Sequence, residues 1–193
     1  MHPRAALLTV LIAATSACGA GPAPDTTAEP TPFVASTPST PKGFTAVECP
    51  AVVGGKPATL RLAVPDGFTS ESTGPTEQTP SGQCTWRDPE DRFLSVQVGE
   101  TESLADHEDE LKQYEGIGGD DEVRNVTYDA PVDVFGDLEG ERLTWWTYSD
   151  GSPAECVDVQ ANGISLFWES PEDVDQRLDD LDLLLDSVEL IRS

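Results

Sequence analysis

Between Glu139 and Trp168 the chain alternates apolar and polar residues in three runs divided by turn signals, and this pattern leaves little choice of fold. Successive side chains of a strand point to opposite faces, so each run has one face to bury. Glu139 to Tyr148 (EGERLTWWTY) sets Leu143, Trp145 and Thr147 on one side, with Arg142, Thr144, Trp146 and Tyr148 on the other. Asp150-Gly151-Ser152-Pro153 turns the chain, Cys156 to Gln160 runs back, and Asn162-Gly163 is a hairpin dipeptide. Ile164 to Trp168 follows, with Ile164, Leu166 and Trp168 opposite Phe167. A three-stranded meander is predicted.

Upstream, Phe44 to Val53 reads as a short edge strand, because Pro50 limits its pairing. Gly54-Gly55-Lys56-Pro57 turns the chain into Ala58 to Val64, where Leu60, Leu62 and Val64 share a face. Ser70 to Gly82 is polar and reads as a surface loop. Cys84-Thr85-Trp86, a turn at Pro89-Glu90-Asp91 and Phe93 to Val98 form a hairpin. A helix over about 103–115 begins at Ser103, which with Asp106 resembles a capping box, buries Leu104, Leu111 and Tyr114, and ends at Gly116. His107 reads as a surface or boundary residue of that helix. Asp120-Asp121-Glu122 lacks the alternating ligand spacing of a calcium loop and reads as solvated.

Val123 to Tyr128 and Val132 to Phe135 are short strand candidates around Ala130-Pro131. A second helix over about 171–185 starts at Ser170-Pro171-Glu172-Asp173, with Val174, Leu178, Leu181, Leu184 and Leu185 as its apolar stripe. It should lie across the meander and bury Trp145 or Trp168. Ser187 to Ile191 closes as a last strand. Strands, helix, strands, helix, without βαβ alternation, predict an α+β fold: an antiparallel sheet of about 6–8 strands packed by two helices.

The N-terminus says where such a domain works. Met1-His2-Pro3-Arg4 is a short positive start, and Ala5 to Ala14 is an uncharged apolar run of ten. As a helix that run rises only about 15 Å, half of a bilayer's hydrocarbon thickness, so it reads as a secretory signal and not a span. Thr15-Ser16-Ala17-Cys18 resembles the cleavage box of bacterial lipoprotein precursors, with Thr15 where that family usually has Leu. The resemblance implies cleavage before Cys18 and acylation of its thiol; ordinary secretion with an unmodified Cys18 is the alternative. Residues 18–42 then form a tether carrying six prolines, too poor in large apolar side chains to fold. In polyproline II its reach is at most about 70–75 Å. Signal peptide 1–17, tether 18–42 and a single globular domain 43–193 complete the organisation.

The domain's charge excludes one class of partner. It holds 34 of the chain's 36 acidic residues and 9 of its 11 Lys and Arg, so it carries the whole net charge of −25. Such a surface repels phosphate backbones, and no nucleic-acid partner is expected. A monomer is expected, with no cofactor and no metal: Cys49, Cys84 and Cys156 match no zinc spacing, and His107 is the domain's one histidine. In an oxidising compartment two of those three cysteines pair and one is left over, the sequence leaving all three pairings open.

A Val-Pro-Asp-Gly-Phe stretch (Val64 to Phe68), a central meander and a closing helix that runs into Asp186-Ser187-Val188-Glu189-Leu190 resemble the PsbP/LpqN-like domains, which include small secreted lipoproteins. The resemblance implies an antiparallel sheet flanked by helices, used for binding or assembly more than for chemistry. No G-x-S-x-G elbow, H-E-x-x-H or glycine-rich phosphate loop is present, and catalysis is not expected. The expected role is a membrane-anchored, extracytoplasmic binding or assembly module that contacts an envelope protein, glycan or lipid. Its contact patch is placed at Trp146, Tyr148 and Phe167. The alternatives are a lipid or glycolipid carrier with a cavity between sheet and helices, and a secreted hydrolase.

Overall fold

A computed structural model describes residues 40–99, 102–118, 121–136, 138–149, 152–172 and 177–192. The signal, Cys18 and nearly all of the tether lie outside the described residues. Ten strands and two helices follow in the order β1 (Phe44–Val53), β2 (Lys56–Pro65), β3 (Thr69–Ser72), β4 (Gln83–Arg87), β5 (Phe93–Val98), α1 (Leu104–Tyr114), β6 (Asp121–Val134), β7 (Leu138–Ser149), β8 (Ser152–Ala161), β9 (Ile164–Pro171), α2 (Arg177–Leu185) and β10 (Glu189–Arg192). The fold is α+β with antiparallel pairing, as expected. The strands divide between two sheets: three strands in the order β1-β2-β10 and seven in the order β3-β4-β5-β9-β8-β7-β6.

Local chemistry explains the hairpins. Gly54 and Gly55 both take positive φ, as do Asn162 and Gly163, which is the two-residue turn whose twist matches the strands it joins. The predicted meander is β7-β8-β9, in register from Ser149↔Ser152 and Ala161↔Ile164 outward. The final strand pairs with β2, as Leu190↔Leu60.

Each face of the larger sheet has its own apolar cluster. The inner face (Val157, Val159, Leu166, Trp168, Leu94 and Val96) meets Leu60 and Leu62 of β2 and Leu181, Leu184 and Leu185 of α2 in one buried core. A disulfide between Cys49 of β1 and Cys84 of β4 ties the two sheets together, and Cys156 is a free, buried thiol. On the outer face Leu104 of α1 joins Val123, Leu143, Trp145 and Cys156, with Leu111 and Phe167 packed against them.

Several local expectations change. The polar stretch after Phe68 opens with β3, which edges the sheet by pairing with β4. The two short strands around Ala130-Pro131 are one strand, β6, with irregular register between Arg124 and Thr127 and between Asp129 and Val132. Asp121 and Glu122 start that strand and do not belong to a loop, while Asp120 lies outside the described residues. Ser103 caps α1 by position only, without a side-chain hydrogen bond. Tyr114 is exposed and not part of the buried stripe. Ser170 and Pro171 end β9 instead of starting a helix, because Ser170 pairs with Glu155 and Pro171 with Ala154; α2 is described from Arg177. Val174 lies outside the described residues, Leu178 is exposed, and Leu181, Leu184 and Leu185 carry the buried face. Of the two tryptophans offered to this helix, Trp168 shares its core and Trp145 packs with α1 instead.

Candidate functional site

Register decides where the proposed aromatic patch goes, and it does not hold together. Trp146 pairs with Glu155, which pairs with Ser170, so Trp146 and Tyr148 belong to the inner-face side of the sheet. Phe167 is three residues from Ser170, an odd number, and therefore faces the opposite way. Tyr148 is also already covered: the Arg124 guanidinium stands 4.4 Å from its ring centroid and is clamped by Glu122 through two hydrogen bonds. A single contact surface of Trp146, Tyr148 and Phe167 is thus corrected by strand parity. Phe167 alone stays in play.

Phe167 stands in a groove that α1 leaves uncovered. Along β4, β5 and β9 the outward positions are partly exposed except for Ser95, which is buried, while the inward positions are all buried. A recess of about 320 Å³ on this outer face is lined by Gln83, Phe93, Ser95, Gln97, Asp158, Ser165 and Phe167. A second of about 350 Å³ adjoins it through Phe167 and reaches Trp145, Leu111 and Glu169 beside α1. The aromatic rings run in a chain: Phe93 to Phe167 at 6.2 Å, Phe167 to Trp145 at 5.9 Å, and Trp145 to His107 at 5.2 Å, edge-on. His107, expected at a helix boundary, thus closes one end of the row.

The polar groups between the rings are held in place. The Gln83 amide donates to Ser95 Oγ at 3.0 Å, and the Ser165 hydroxyl donates to Asp158 Oδ1 at 3.3 Å. Burial pushes the Asp158 carboxyl up to about 6, against the opposing pull of the Ser165 hydroxyl, the His107 charge and the Val159 N–H. Among the described residues no Lys or Arg forms an ion pair with Asp158. A half-buried carboxylate that sits in a recess beside an aromatic ring, with no Lys or Arg partner among the described residues, marks a candidate site. Cys156 nearby is a poor nucleophile, since burial and the charges of Glu169 and Glu155 raise its thiol to about 12.

Two larger recesses lie elsewhere. One of about 510 Å³ sits at the end of the molecule between the β1–β2 and β8–β9 turns, lined by Gln78, Ser81, Asn162 and Arg192 among others. The other, about 770 Å³, is a flank where Arg87 stands among Glu90, Asp91, Glu169 and Glu172. Neither joins a half-buried acid without a Lys or Arg partner to an aromatic row. No group of three or more His, Cys, Asp and Glu suited to a metal ion occurs among the described residues.

Sequence reasoning missed Asp158, Ser165, Gln83, Ser95 and Gln97. No local signal singled out Asp158: in Cys156-Val157-Asp158-Val159-Gln160 the acid shares its face with Cys156 and Gln160, opposite Val157 and Val159, which is the ordinary alternation of a strand with one buried face. Sequence reasoning also missed Arg92, which falls between the Pro89-Glu90-Asp91 turn and the strand that begins at Phe93. This guanidinium is buried on the inner side, 2.8 Å from Asp88 and 2.6 Å from Asp180, and stacks over Phe68.

No protein-family model matches the chain, and no curated protein matches it. Among solved structures it is similar to the crystal structure of LpqN, involved in cell envelope biogenesis of Mycobacterium tuberculosis, at 16% sequence identity and a TM-score of 0.41, covering 76% of this chain and 91% of that one. What the groove can hold is decided by its own side chains.

Proposed function

We propose that this protein is an extracytoplasmic, non-catalytic binding module, tethered to a membrane through Cys18, whose contact surface is the groove on the outer face of the seven-stranded sheet. The observation that carries the reading is the uncovered half of that face. Phe93, Phe167 and Trp145 line it with hydrogen-bonding groups set between them, the composition of a recognition surface. A disulfide that joins the two sheets suits an oxidising compartment. The signal-like start and proline-rich spacer supply the anchor and the distance from the headgroups. On the inner face Trp168, Leu60, Leu166 and Leu181 fill the space between sheet and α2, which favours surface contact over a carrier's internal cavity.

Two measurements test this on the mature protein in its own envelope. Intact mass should show a chain that begins at Cys18 with an acyl increment in the membrane fraction; an unprocessed polypeptide in the cytosol would remove the proposal. A photo-crosslinker at Gln97 should trap an envelope component, while the same group at Glu139 should not. The trapped component should be recovered chemically unchanged after long incubation. Its conversion to a product would replace the binding role with an enzymatic one.

A further inference from the structure

We infer that the groove takes a cationic side chain, a Lys or Arg on a basic segment of a partner protein, seated between Asp158 and the ring of Phe167. The inference rests on the proposed binding role and names the chemistry of its occupant.

Three observations converge on a cation. The first is the bare carboxylate: Asp158 sits in the recess with a hydroxyl donor, Ser165, and among the described residues no Lys or Arg completes it. The second is how this molecule treats its own cations. Arg87 lies 4.9 Å over Phe93, Arg92 lies 5.1 Å over Phe68 and Arg124 lies 4.4 Å over Tyr148, each beside a carboxylate. Phe167 and Asp158 offer the same pairing of ring and acid, and no cation of the described residues stacks on Phe167. The third is charge complementarity at long range: a net charge of −25 draws basic segments toward the surface and repels anionic ones.

Protons compete for the same position. The residues paired across the strands with Asp158 are Leu143 of β7 and Phe167 of β9, and α1 presents His107 to it; of these only His107 is ionisable. Glu169 stands one register step along, opposite Cys156, and adds a second acid on that face. A bound cation stabilises ionised Asp158, so affinity is greatest where the carboxylate is free of its proton. As pH falls through about 6 the carboxyl protonates and the cation loses its counter-charge.

The test uses the mature full-length protein and a short synthetic peptide with two arginines, followed by amide NMR shifts and by Trp145 fluorescence. The control is the same peptide with citrulline, which keeps the shape and removes the charge. The arginine peptide should bind at least tenfold tighter than the citrulline peptide, with shifts centred on Ser95, Asp158, Ser165 and Phe167. Asp158→Asn should weaken it about tenfold and flatten its decline between pH 7.5 and pH 5. Phe167→Ala should weaken it several-fold, and Glu77→Gln, an exposed acid elsewhere, should leave it unchanged. His107→Gln should keep the pH decline that Asp158 sets. Equal binding of the citrulline peptide would overturn the inference. So would equal losses from Asp158→Asn and Glu77→Gln, or occupation of the groove by maltotriose and not by the peptide. Failure of the peptide with Gln97 crosslinking intact removes this occupant only; failure of both removes the binding role as well.

Discussion

The two faces of the seven-stranded sheet solve the same electrostatic problem in opposite ways. On the inner side Asp88 is 7% exposed, and every oxygen has a donor: Oδ1 accepts the N–H groups of Glu90 and Arg92, and Oδ2 accepts the Arg92 guanidinium. Arg92 in turn reaches Asp180 of α2, so one ion network fastens the helix to the β4–β5 hairpin. Burial by itself lowers the pKa of this guanidinium, but the hydrogen bonds to both carboxylates outweigh it and leave the pKa raised. On the outer side Asp158 has the Ser165 hydroxyl and the Val159 N–H but no guanidinium, and burial pushes its carboxyl up to about 6. A closed network is structural. An open one is a place where something else can bind.

This contrast is breakable. Arg92→Met should have the largest effect, because it strands Asp88 and Asp180 without their cation; a loss of about 3–5 kcal/mol is expected in denaturant unfolding. A loss under about 1 kcal/mol would mean that the inner network is no more structural than a surface pair.

Asp158→Asn should act in the opposite direction. The folded carboxyl titrates at about 6 and that of the unfolded chain near about 3.9, so the folded state holds the extra proton between those values. Stability due to Asp158 is therefore present at low pH and lost as pH rises from about 4 to about 6. The variant should lack that slope and be more stable than the parent by about 1–3 kcal/mol at pH 7.5, in paired unfolding curves. A parent without the slope would make Asp158 an ordinary solvated acid.

Phe167→Ala should have the smallest effect on stability, about 1 kcal/mol, since its ring is half-buried and the cavity it leaves opens to water. The fully buried Trp168 next to it should cost about 3–5 kcal/mol on the same truncation. Equal values for the two would erase the difference between a working face and a core face.

Much of the scaffold was legible because period-two alternation depends only on neighbouring residues. The β7-β8-β9 meander, the β4-β5 hairpin and the closing strand follow from it, and Asn162-Gly163 marks a turn by its own conformational preference. The start of α2 misled for a physical reason. Ser170-Pro171-Glu172 has the local chemistry of a helix cap, yet Ser170 and Pro171 are held in β9 by pairing with β8. Tertiary pairing overrode a local propensity. The contact patch failed likewise, since Trp146 and Phe167 sit on different strands and only the register between β7, β8 and β9 fixes which way each points.

Local pattern alone therefore settled the α+β class, most strand positions and the acidity of the domain, as each is a property of residues close together in the chain. The cysteine pairing, the division into two sheets, the guanidinium between Asp88 and Asp180 and the lone carboxylate beside Phe167 were decided only by folding. Arg92 and Asp180 are 88 residues apart. Contacts of that span depend on how whole sheets stack, and no local signal carries that information.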